Sequence, residues 1–531
     1  MARSKLLLLS LCSGCLLSIP WMIGAGSWIM LFAFLPLLII DDYLLLNDQG
    51  RGGVSFFFYA LVAFLTWNLL STWWIGYVSL TGMLLIALIN SFLMAGVWWI
   101  AHSIRRISDT RTAYFSLIVF WLSFEYLHFN WSMQWPWLTL GNGFFNAIQW
   151  IQWYEFTGAL GGSLWILFVN IFIYSTLKCL QRRLYQKAAQ LIAILLLQIA
   201  FPMGWSFYRY HTYAEKGNRV EVAVLQPNID PYKDKFGGMT YEEQTQRLIA
   251  LAQNIVNDST RYVVAPETAL APLWENDSIR DQKSLRMFDT LFCSHPHVNI
   301  IAGAITQRKI KQNERVSYAV RRLDKDNFYE VYNSALCIDR SSNVQIGHKS
   351  ILVSGVEKIP FQEYFSSLSR FIVDAGGTSG SLSPADQPIV FKGTGQESIG
   401  TVICFESAFG GFVAKGVKKG ANILFVITND GWWKQSAGLA QHFSYSRLRA
   451  VETRRSIARS ANTGLSGFIN ERGDVIKIAH SNTATAINSS MTINDYQTFY
   501  VRHGDYIGWI SAVLAVMIVL YLLGKKAIGI P

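Results

Sequence analysis

Three residues whose side chains can do covalent chemistry follow apolar runs of the chain, and Cys404 is the most informative of them. Residues 401–404 have the pattern of a buried strand, and the small and acidic residues after them have the pattern of a turn. A cysteine presented at the end of a strand is well placed to act as a nucleophile. Glu267 also follows an apolar run, and Lys349 begins a segment that ends at Glu357.

These residue types together predict an acyl-transfer site. The pKa of a free thiol lies above neutral pH, so Cys404 needs a base, and Glu267 is the candidate. Attack on an ester or amide carbonyl creates an oxyanion, which Lys349 and the backbone N–H of Phe405 are candidates to stabilise. Glu357 is expected to hold Lys349 in place and keep it charged, or to hold the leaving group. Such a set divides acyl transfer into two steps through a thioester.

Each of these residues has a structural explanation when it is considered alone. A buried cysteine is usually inert packing, a glutamate after a strand is usually a solvated cap, and a lysine in a turn is usually surface charge. The combination, in this chain order, favours the catalytic interpretation.

The composition divides the chain into a membrane region and a soluble domain. Of the 531 residues, 51% are hydrophobic and only 15% are charged, whereas about a quarter of the residues of a soluble protein are charged. Between residues 6 and 104 the only Lys or Arg is Arg51. We therefore predict spans one to seven within residues 1–207, a catalytic domain at 208–504 and a last span within 505–531.

Eight apolar runs are long enough to cross a bilayer, which takes about 17–25 residues. They lie at 6–22, 28–46, 56–74, 83–101, 113–129, 158–177, 188–207 and 506–523. Basic residues fall in alternate loops, which by the positive-inside rule places both termini in the cytoplasm and the catalytic domain on the outer face. The net charge of +11 is partly a consequence of this topology, and no clustered basic stripe indicates nucleic-acid binding.

An alternative exists for the N-terminus. Residues 12–15 loosely resemble a lipoprotein cleavage site. The apolar run continues beyond them without a polar start, which favours a first transmembrane helix.

The soluble part has the alternating pattern of an α/β sandwich. Short β-rich runs lie at 220–225, 262–264, 298–302, 331–338, 401–404, 423–427 and 466–469. Helical patterns lie between several of them, at 241–255 and 441–457.

The soluble part resembles the nitrilase (carbon–nitrogen hydrolase) superfamily, which has an αββα sandwich and a catalytic triad, here Glu267, Lys349 and Cys404. Its matching segments lie at 225–229, 266–268, 333–335, 349–357, 400–407, 428–433, 447–452 and 459–464. The aromatic loop at 135–142, Glu125 and the eight-span topology extend the similarity to the whole chain. The chain thus resembles the apolipoprotein N-acyltransferases, the membrane-embedded members.

The resemblance implies supporting or substrate-binding roles for five more residues, which are Glu357, Phe405, Glu406, Asn333 and Phe236. Phe405 stands where the family commonly has tyrosine, and Phe236 where it has tryptophan. The turn that leads to Glu357 also departs from the family pattern.

The resemblance implies a ping-pong reaction at the outer leaflet of the inner (cytoplasmic) membrane. Cys404 would take an acyl chain from a membrane phospholipid and pass it to the N-terminal amine of a diacylglyceryl apolipoprotein. We expect a monomer embedded in the membrane, with no cofactor, no metal and no nucleic-acid partner.

Two rival hypotheses remain open. A membrane-anchored amidase or nitrilase would share the triad, but one span would suffice to anchor it. A transporter or lipid-binding scaffold would need paired broken helices and buried charges along a transport path, which the spans lack.

Overall fold

The computed structural model describes residues 2–47, 52–235, 237–275, 278–311, 314, 317–341, 343–361 and 381–527. The chain folds into two compact units, one formed by Met1–Thr212 with His503–Pro531 and the other by Tyr213–Arg502.

The helices are α1 Arg3–Ile23, α2 Leu35–Asn47, α3 Gly52–Thr72, α4 Leu80–Ile107, α5 Thr110–Phe129, α6 Tyr154–Gln181, α7 Tyr185–Thr212, α8 Tyr241–Gln253, α9 Lys283–Arg286, α10 Asp289–Ser294, α11 Gly410–Lys418, α12 Ala437–Thr453, α13 Phe499–His503 and α14 Tyr506–Ala527. The strands are β1 Arg219–Gln226, β2 Thr260–Val264, β3 Leu270–Trp274, β4 Asn299–Lys309, β5 Arg321–Arg322, β6 Phe328–Ile338, β7 Gln345–His348, β8 Ile389–Lys392, β9 Ser398–Ile403, β10 Ile423–Thr428, β11 Ile457–Ala461, β12 Gly467–Ile469, β13 Val475–Ile478 and β14 Thr485–Thr492.

The first unit is a bundle of long apolar helices. Within the described residues, seven helical segments are long and apolar enough to cross a membrane, and they contain α1, α2, α3, α4, α6, α7 and α14. The fifth predicted span also forms a helix, α5, whose 20 residues include Glu125 and His128 and are less apolar than the other seven segments. The chain is therefore a multi-pass membrane protein.

Buried charges connect three of these helices, a feature that the sequence analysis did not anticipate. Arg105 on α4 donates 2.5 Å hydrogen bonds to both Asp41 and Asp42 on α2. Lys178 on α6 pairs with Asp42, and His102 Nδ1 lies 2.5 Å from Asp41. Charged side chains inside a membrane are tolerated when they form ion pairs. In this cluster the acidic residues pair with the basic ones.

Glu125 has a structural task in the membrane unit. Its Oε1 accepts hydrogen bonds from the Trp121 indole at 2.9 Å and from the backbone N–H of Leu140 at 2.8 Å. Leu140 belongs to the aromatic loop at 135–142. The carboxylate therefore holds this loop against α5.

The second unit is a sandwich of two sheets. The first has the order β14-β1-β2-β4-β6-β5, with β3 also paired to β4 and β7 to β6, and the second has the order β13-β12-β11-β10-β9-β8. One apolar core lies between the sheets, a second lies beneath α8 and α10, and a third lies beneath α11 and α12. This is an αββα arrangement, so the predicted fold class is confirmed.

One predicted helix boundary is wrong. The helix expected at 441–457 begins at Ala437 and ends at Thr453, because Arg454 adopts a left-handed conformation with φ 51°. Ile457 then starts β11, which pairs in parallel with β10. The left-handed residue is an arginine and not a glycine, so the turn has no clear signal in the sequence.

Candidate active site

The sandwich places the three predicted catalytic residues just beyond strand ends. Cys404 follows β9, Lys349 follows β7, and Glu267 comes three residues after β2. Strands β9, β10 and β11 are parallel, so the residues that follow them meet at one edge of their sheet. The strands are buried and rich in β-branched residues, which favours this central position.

A buried charge cluster forms the centre of the site. Lys349 Nζ lies 3.1 Å from Glu267 Oε1 and 2.9 Å from Glu357 Oε1. Asn333 Nδ2 donates to the same two oxygens, at 2.8 Å and 2.9 Å respectively. All four side chains are buried. Two carboxylates are thus held together by one ammonium and one amide, which offset both their desolvation and their mutual repulsion.

The Glu267 segment is fixed from several sides. The backbone N–H of Asn429 donates to Glu267 Oε2 at 3.0 Å. Buried Lys235 donates to Thr268 Oγ1 at 2.7 Å and to the Glu267 carbonyl at 3.3 Å. Thr268 has a left-handed backbone, with φ 48°. Such a conformation persists only where neighbours hold it, and these contacts do so.

Cys404 stands on a strained turn. Its φ is 51°, a left-handed value that is rare for a residue with a Cβ atom. It begins a 3₁₀ turn over Cys404–Ala408, immediately after β9. The thiol lies close enough to Glu267 and Lys349 for both charges to act on it. A nucleophile on a tight strand-to-helix turn is presented clear of its own strand.

The electrostatics favour proton transfer at the moment of attack. Burial and the negative charge of Glu267 raise the pKa of Cys404 well above its usual value. Burial alone would raise the pKa of Glu267, but Lys349 and the Asn333 hydrogen bond outweigh it and hold that pKa below the ordinary 4.5. Burial opposes the charge of Lys349, yet Glu267 and Glu357 raise its pKa well above 10.5. The resting site therefore holds a thiol, a carboxylate base and an ammonium.

Glu406 joins the nucleophile turn to the lysine segment. Its Oε1 accepts from the backbone N–H groups of Ser350 at 2.7 Å and Ile351 at 3.1 Å, and its Oε2 accepts from Ile403 at 2.9 Å. Burial raises the pKa of Glu406 to about 7. All three of these contacts are with backbone N–H groups.

The other predicted site residues have separate outcomes. The structure brings Glu357 and Asn333 into the cluster, as described. Phe405 is buried and packs edge-on against Phe409, with ring centroids 5.1 Å apart. Phe236 lies outside the described residues. The catalytic and supporting roles themselves stay predictions.

The sequence analysis missed a second buried network next to Cys404. Asp430, His442 and Arg459 are buried and hydrogen-bonded to one another. Asp430 and Arg459 lie in segments that carry the nitrilase resemblance, but nothing local pairs them with a histidine on α12.

This network does not suit a metal ion. The ligand atoms of Cys404, Asp430 and His442 lie within 4.8 Å of one another. However, the Arg459 guanidinium lies 2.7 Å from Asp430 Oδ2 and 2.8 Å from His442 Nδ1. A cation at this place would have to displace a buried positive charge.

Arg449 and Glu452 form a structural ion pair on α12. They lie 2.7 Å apart and both are buried. Arg449 also donates to the Ala408 carbonyl at 2.9 Å. The pair thereby ties α12 to the end of the nucleophile turn.

Comparisons with known proteins agree with this geometry. Residues 221–499 match the carbon-nitrogen hydrolase family, and residues 13–172 match the apolipoprotein N-acyltransferase N-terminal domain. The apolipoprotein N-acyltransferase of Chlorobaculum tepidum is 27% identical over 98% of this chain and 97% of its own length. That of Thermotoga maritima is 24% identical over 96% of this chain and 92% of its own length. Among solved structures, Saccharomyces cerevisiae Nit3 covers 52% of this chain and 91% of its own, with 14% identity and a TM-score of 0.36.

Fold and site define a membrane-embedded enzyme with a nitrilase-type sandwich and a buried Glu–Lys cluster beside a partly exposed cysteine. The chain belongs to the carbon–nitrogen hydrolase family. Within that family, its full-length relatives and its N-terminal domain make it an acyltransferase.

Proposed function

We propose that this chain transfers a fatty acyl group from a membrane phospholipid to the N-terminal amine of a diacylglyceryl-cysteine apolipoprotein. The observation that carries this proposal is the buried cluster of Glu267, Lys349 and Glu357 beside Cys404, in a chain that also spans the membrane. The relatives that cover nearly the whole chain bear the name of this activity.

In the first step, the Cys404 sulfur attacks the ester carbonyl of the phospholipid. Glu267 takes the thiol proton, and Lys349 with the Phe405 N–H stabilises the oxyanion. The C–O bond then breaks, Glu267 returns the proton to the leaving alkoxide, and a lysophospholipid departs. A thioester on Cys404 remains. Glu357 and Asn333 keep Lys349 and Glu267 in place through both steps.

In the second step, the free α-amine of the lipoprotein attacks the thioester. Glu267 takes a proton from the amine, the C–S bond breaks, and the thiol is restored as the amide leaves. No cofactor and no metal take part. Glu267 and Lys349 are buried and Cys404 is only partly exposed. This limits the access of water to the thioester, which favours transfer over hydrolysis.

The proposed location follows from the distribution of charge along the chain. Residues 1–207 and 505–531 would anchor the catalytic domain, 208–504, at the outer face of the inner membrane as a monomer. The alternation of basic and uncharged loops supports this orientation.

The test is a transfer assay with the full-length enzyme in detergent micelles. Phospholipid with a labelled acyl chain and a diacylglyceryl-cysteinyl peptide are supplied together. We expect the label in an alkali-stable amide on the peptide, in amounts matched by lysophospholipid. A peptide whose α-amine is acetylated is the control and should remain unlabelled.

Two results would overturn the proposal. One is release of free fatty acid at the same rate with or without the peptide, which would indicate a hydrolase. The other is hydrolysis of a small soluble amide together with no use of phospholipid, which would indicate an amidase.

A further inference from the structure

The carbonyl of the nucleophile itself is held by side chains that the reaction scheme does not use. His442 Nε2 lies 3.1 Å from the Cys404 carbonyl oxygen and 2.9 Å from Ser407 Oγ. Ser407 Oγ also donates to that carbonyl at 2.8 Å. The carbonyl of Cys404, at the strained turn, is therefore in contact with both an imidazole and a hydroxyl.

The far end of the imidazole is fixed as firmly as the near end. Nδ1 of His442 lies 2.8 Å from Asp430 Oδ1, and Arg459 Nη2 lies 2.8 Å from the same nitrogen. Arg459 donates to Asp430 Oδ2 at 2.7 Å. Since the three side chains are buried, the ring has no freedom to rotate away from Cys404.

Burial lowers the pKa of His442, so the ring is neutral at neutral pH. In the neutral Nε2–H tautomer, Arg459 donates to Nδ1, while Thr428 and Arg459 donate to the two oxygens of Asp430. This form gives the Cys404 carbonyl a second donor. The remaining tautomer, with its proton on Nδ1 alone, would leave Nε2 and the carbonyl as two acceptors facing each other.

We propose that His442 is a positioning residue that holds the Cys404 carbonyl through Nε2–H and so fixes the left-handed turn that aims the thiol. The proposal rests on the nucleophilic role of Cys404. It assigns to Asp430 and Arg459 the task of orienting the imidazole. In this scheme His442 acts through the backbone of Cys404.

Two substitutions of His442 distinguish the contact made by Nε2 from the contact made by Nδ1. In His442→Gln, the amide nitrogen can occupy the place of Nε2 and still donate to the Cys404 carbonyl. In His442→Asn, the shorter side chain reaches only the place of Nδ1 and keeps the contact with Asp430. Both variants are neutral and polar, so they form a matched pair.

The readout is the rate at which iodoacetamide alkylates Cys404 in the full-length protein. Peptide mapping by mass spectrometry distinguishes this thiol from the other five cysteines. The reagent needs no lipid, so the result is independent of whether phospholipid is the acyl donor. The melting temperature of each variant is measured alongside.

We expect His442→Gln to react within a few-fold of the wild type and His442→Asn to react about tenfold more slowly, as the loss of one such hydrogen bond allows. Equal rates in all three proteins would overturn the proposal. So would equal losses in both variants with equal drops in melting temperature, or a greater loss in His442→Gln. No alkylation of Cys404 in the wild type would also overturn it.

Ser407→Ala provides the test if the histidine variants do not fold. The proposal predicts that this variant keeps most of the Cys404 reactivity, because His442 still holds the carbonyl. A loss of about tenfold would mean that the hydroxyl, and not the imidazole, fixes the turn.

Discussion

At the scale of single residues, the site is a set of buried charges that depend on one another. Lys349 is shared by Glu267 and Glu357, and Asn333 donates to both carboxylates through one amide nitrogen. These contacts keep Glu267 ionised despite its burial. The base is therefore ready to accept a proton at neutral pH, while the thiol of Cys404 still carries one.

The pH dependence of acylation tests the role of Asn333. The pKa of Glu267 lies below 4.5. In the wild type, the acylation rate should therefore fall only below that pH, and this fall is the acid limb of the pH–rate profile. Asn333→Leu keeps the branched shape of the side chain but removes both hydrogen bonds, which raises the pKa of Glu267. A hydrogen bond to a charged group contributes roughly 1.5–3 kcal/mol, so we expect the limb to move up by about one to two pH units.

The measurement is the rate of Cys404 acylation across the acid range in Asn333→Leu and in Asn254→Leu, an exposed control at the end of α8. The control should retain the wild-type profile. An unchanged acid limb in Asn333→Leu would contradict the role assigned to this amide. Because the pKa of Glu267 is lowered in the folded state, its ionised form stabilises the fold above pH 4.5. This stabilisation is lost as the pH falls through the folded-state pKa.

The sequence identified some of these residues and not others, for a physical reason. Glu267, Lys349 and Cys404 each follow a strand, and these three residue types in this chain order are recognisable in the sequence. The tasks of Asp430, His442 and Arg459 depend on contacts between distant elements. His442 reaches Cys404 across 38 positions, and no local pattern encodes such a contact.

At the scale of secondary structure, one close approach sets the position of the base. Gly303 lies on β4 directly beside the Glu267 segment, and it accepts and donates backbone hydrogen bonds there. A Cβ atom at this position would lie 2.5 Å from Thr268 N and 2.6 Å from Glu267 Cα. Both neighbours are backbone atoms, which cannot rotate aside.

Gly303→Ala should therefore displace Glu267. A shift of about 1 Å at a catalytic group can lower the rate on the order of a hundredfold, while overpacking of this kind costs about 1–3 kcal/mol of folding free energy. Acylation rate and melting temperature are measured together. Gly416→Ala on α11 is the control, because its Cβ would meet only Pro388 at an ordinary 3.4 Å. Full activity in Gly303→Ala would contradict the packing argument.

The elements themselves were predictable where they are long and buried. The central strand β10 is almost entirely apolar, and β1 and β6 are rich in apolar and β-branched residues, so the sequence located all three. The strand β13 was missed because all four of its residues are exposed, so it has no buried face to produce a pattern. The break after α12 was missed because a non-glycine residue, Arg454, adopts the left-handed conformation.

At the scale of the whole molecule, a helical membrane unit and an enzymatic sandwich share one chain. Within the described residues, hydropathy located seven of the eight predicted spans, because a spanning helix must be largely apolar. It could not show that Asp41 and Asp42 on α2 pair with Arg105 and Lys178, since those partners lie on other helices. The pairing explains why two carboxylates can lie in the middle of an apolar helix.

The central claim is that Cys404 carries an acyl group taken from phospholipid. The most direct measurement is the intact mass of the full-length protein after incubation with phosphatidylethanolamine and phosphatidylglycerol vesicles, with and without hydroxylamine. We predict a gain of one acyl chain that hydroxylamine removes, that the cysteinyl peptide discharges, and that Cys404→Ala lacks. A folded, detergent-solubilised protein that gains no such mass, or gains it equally in Cys404→Ala, would contradict the account.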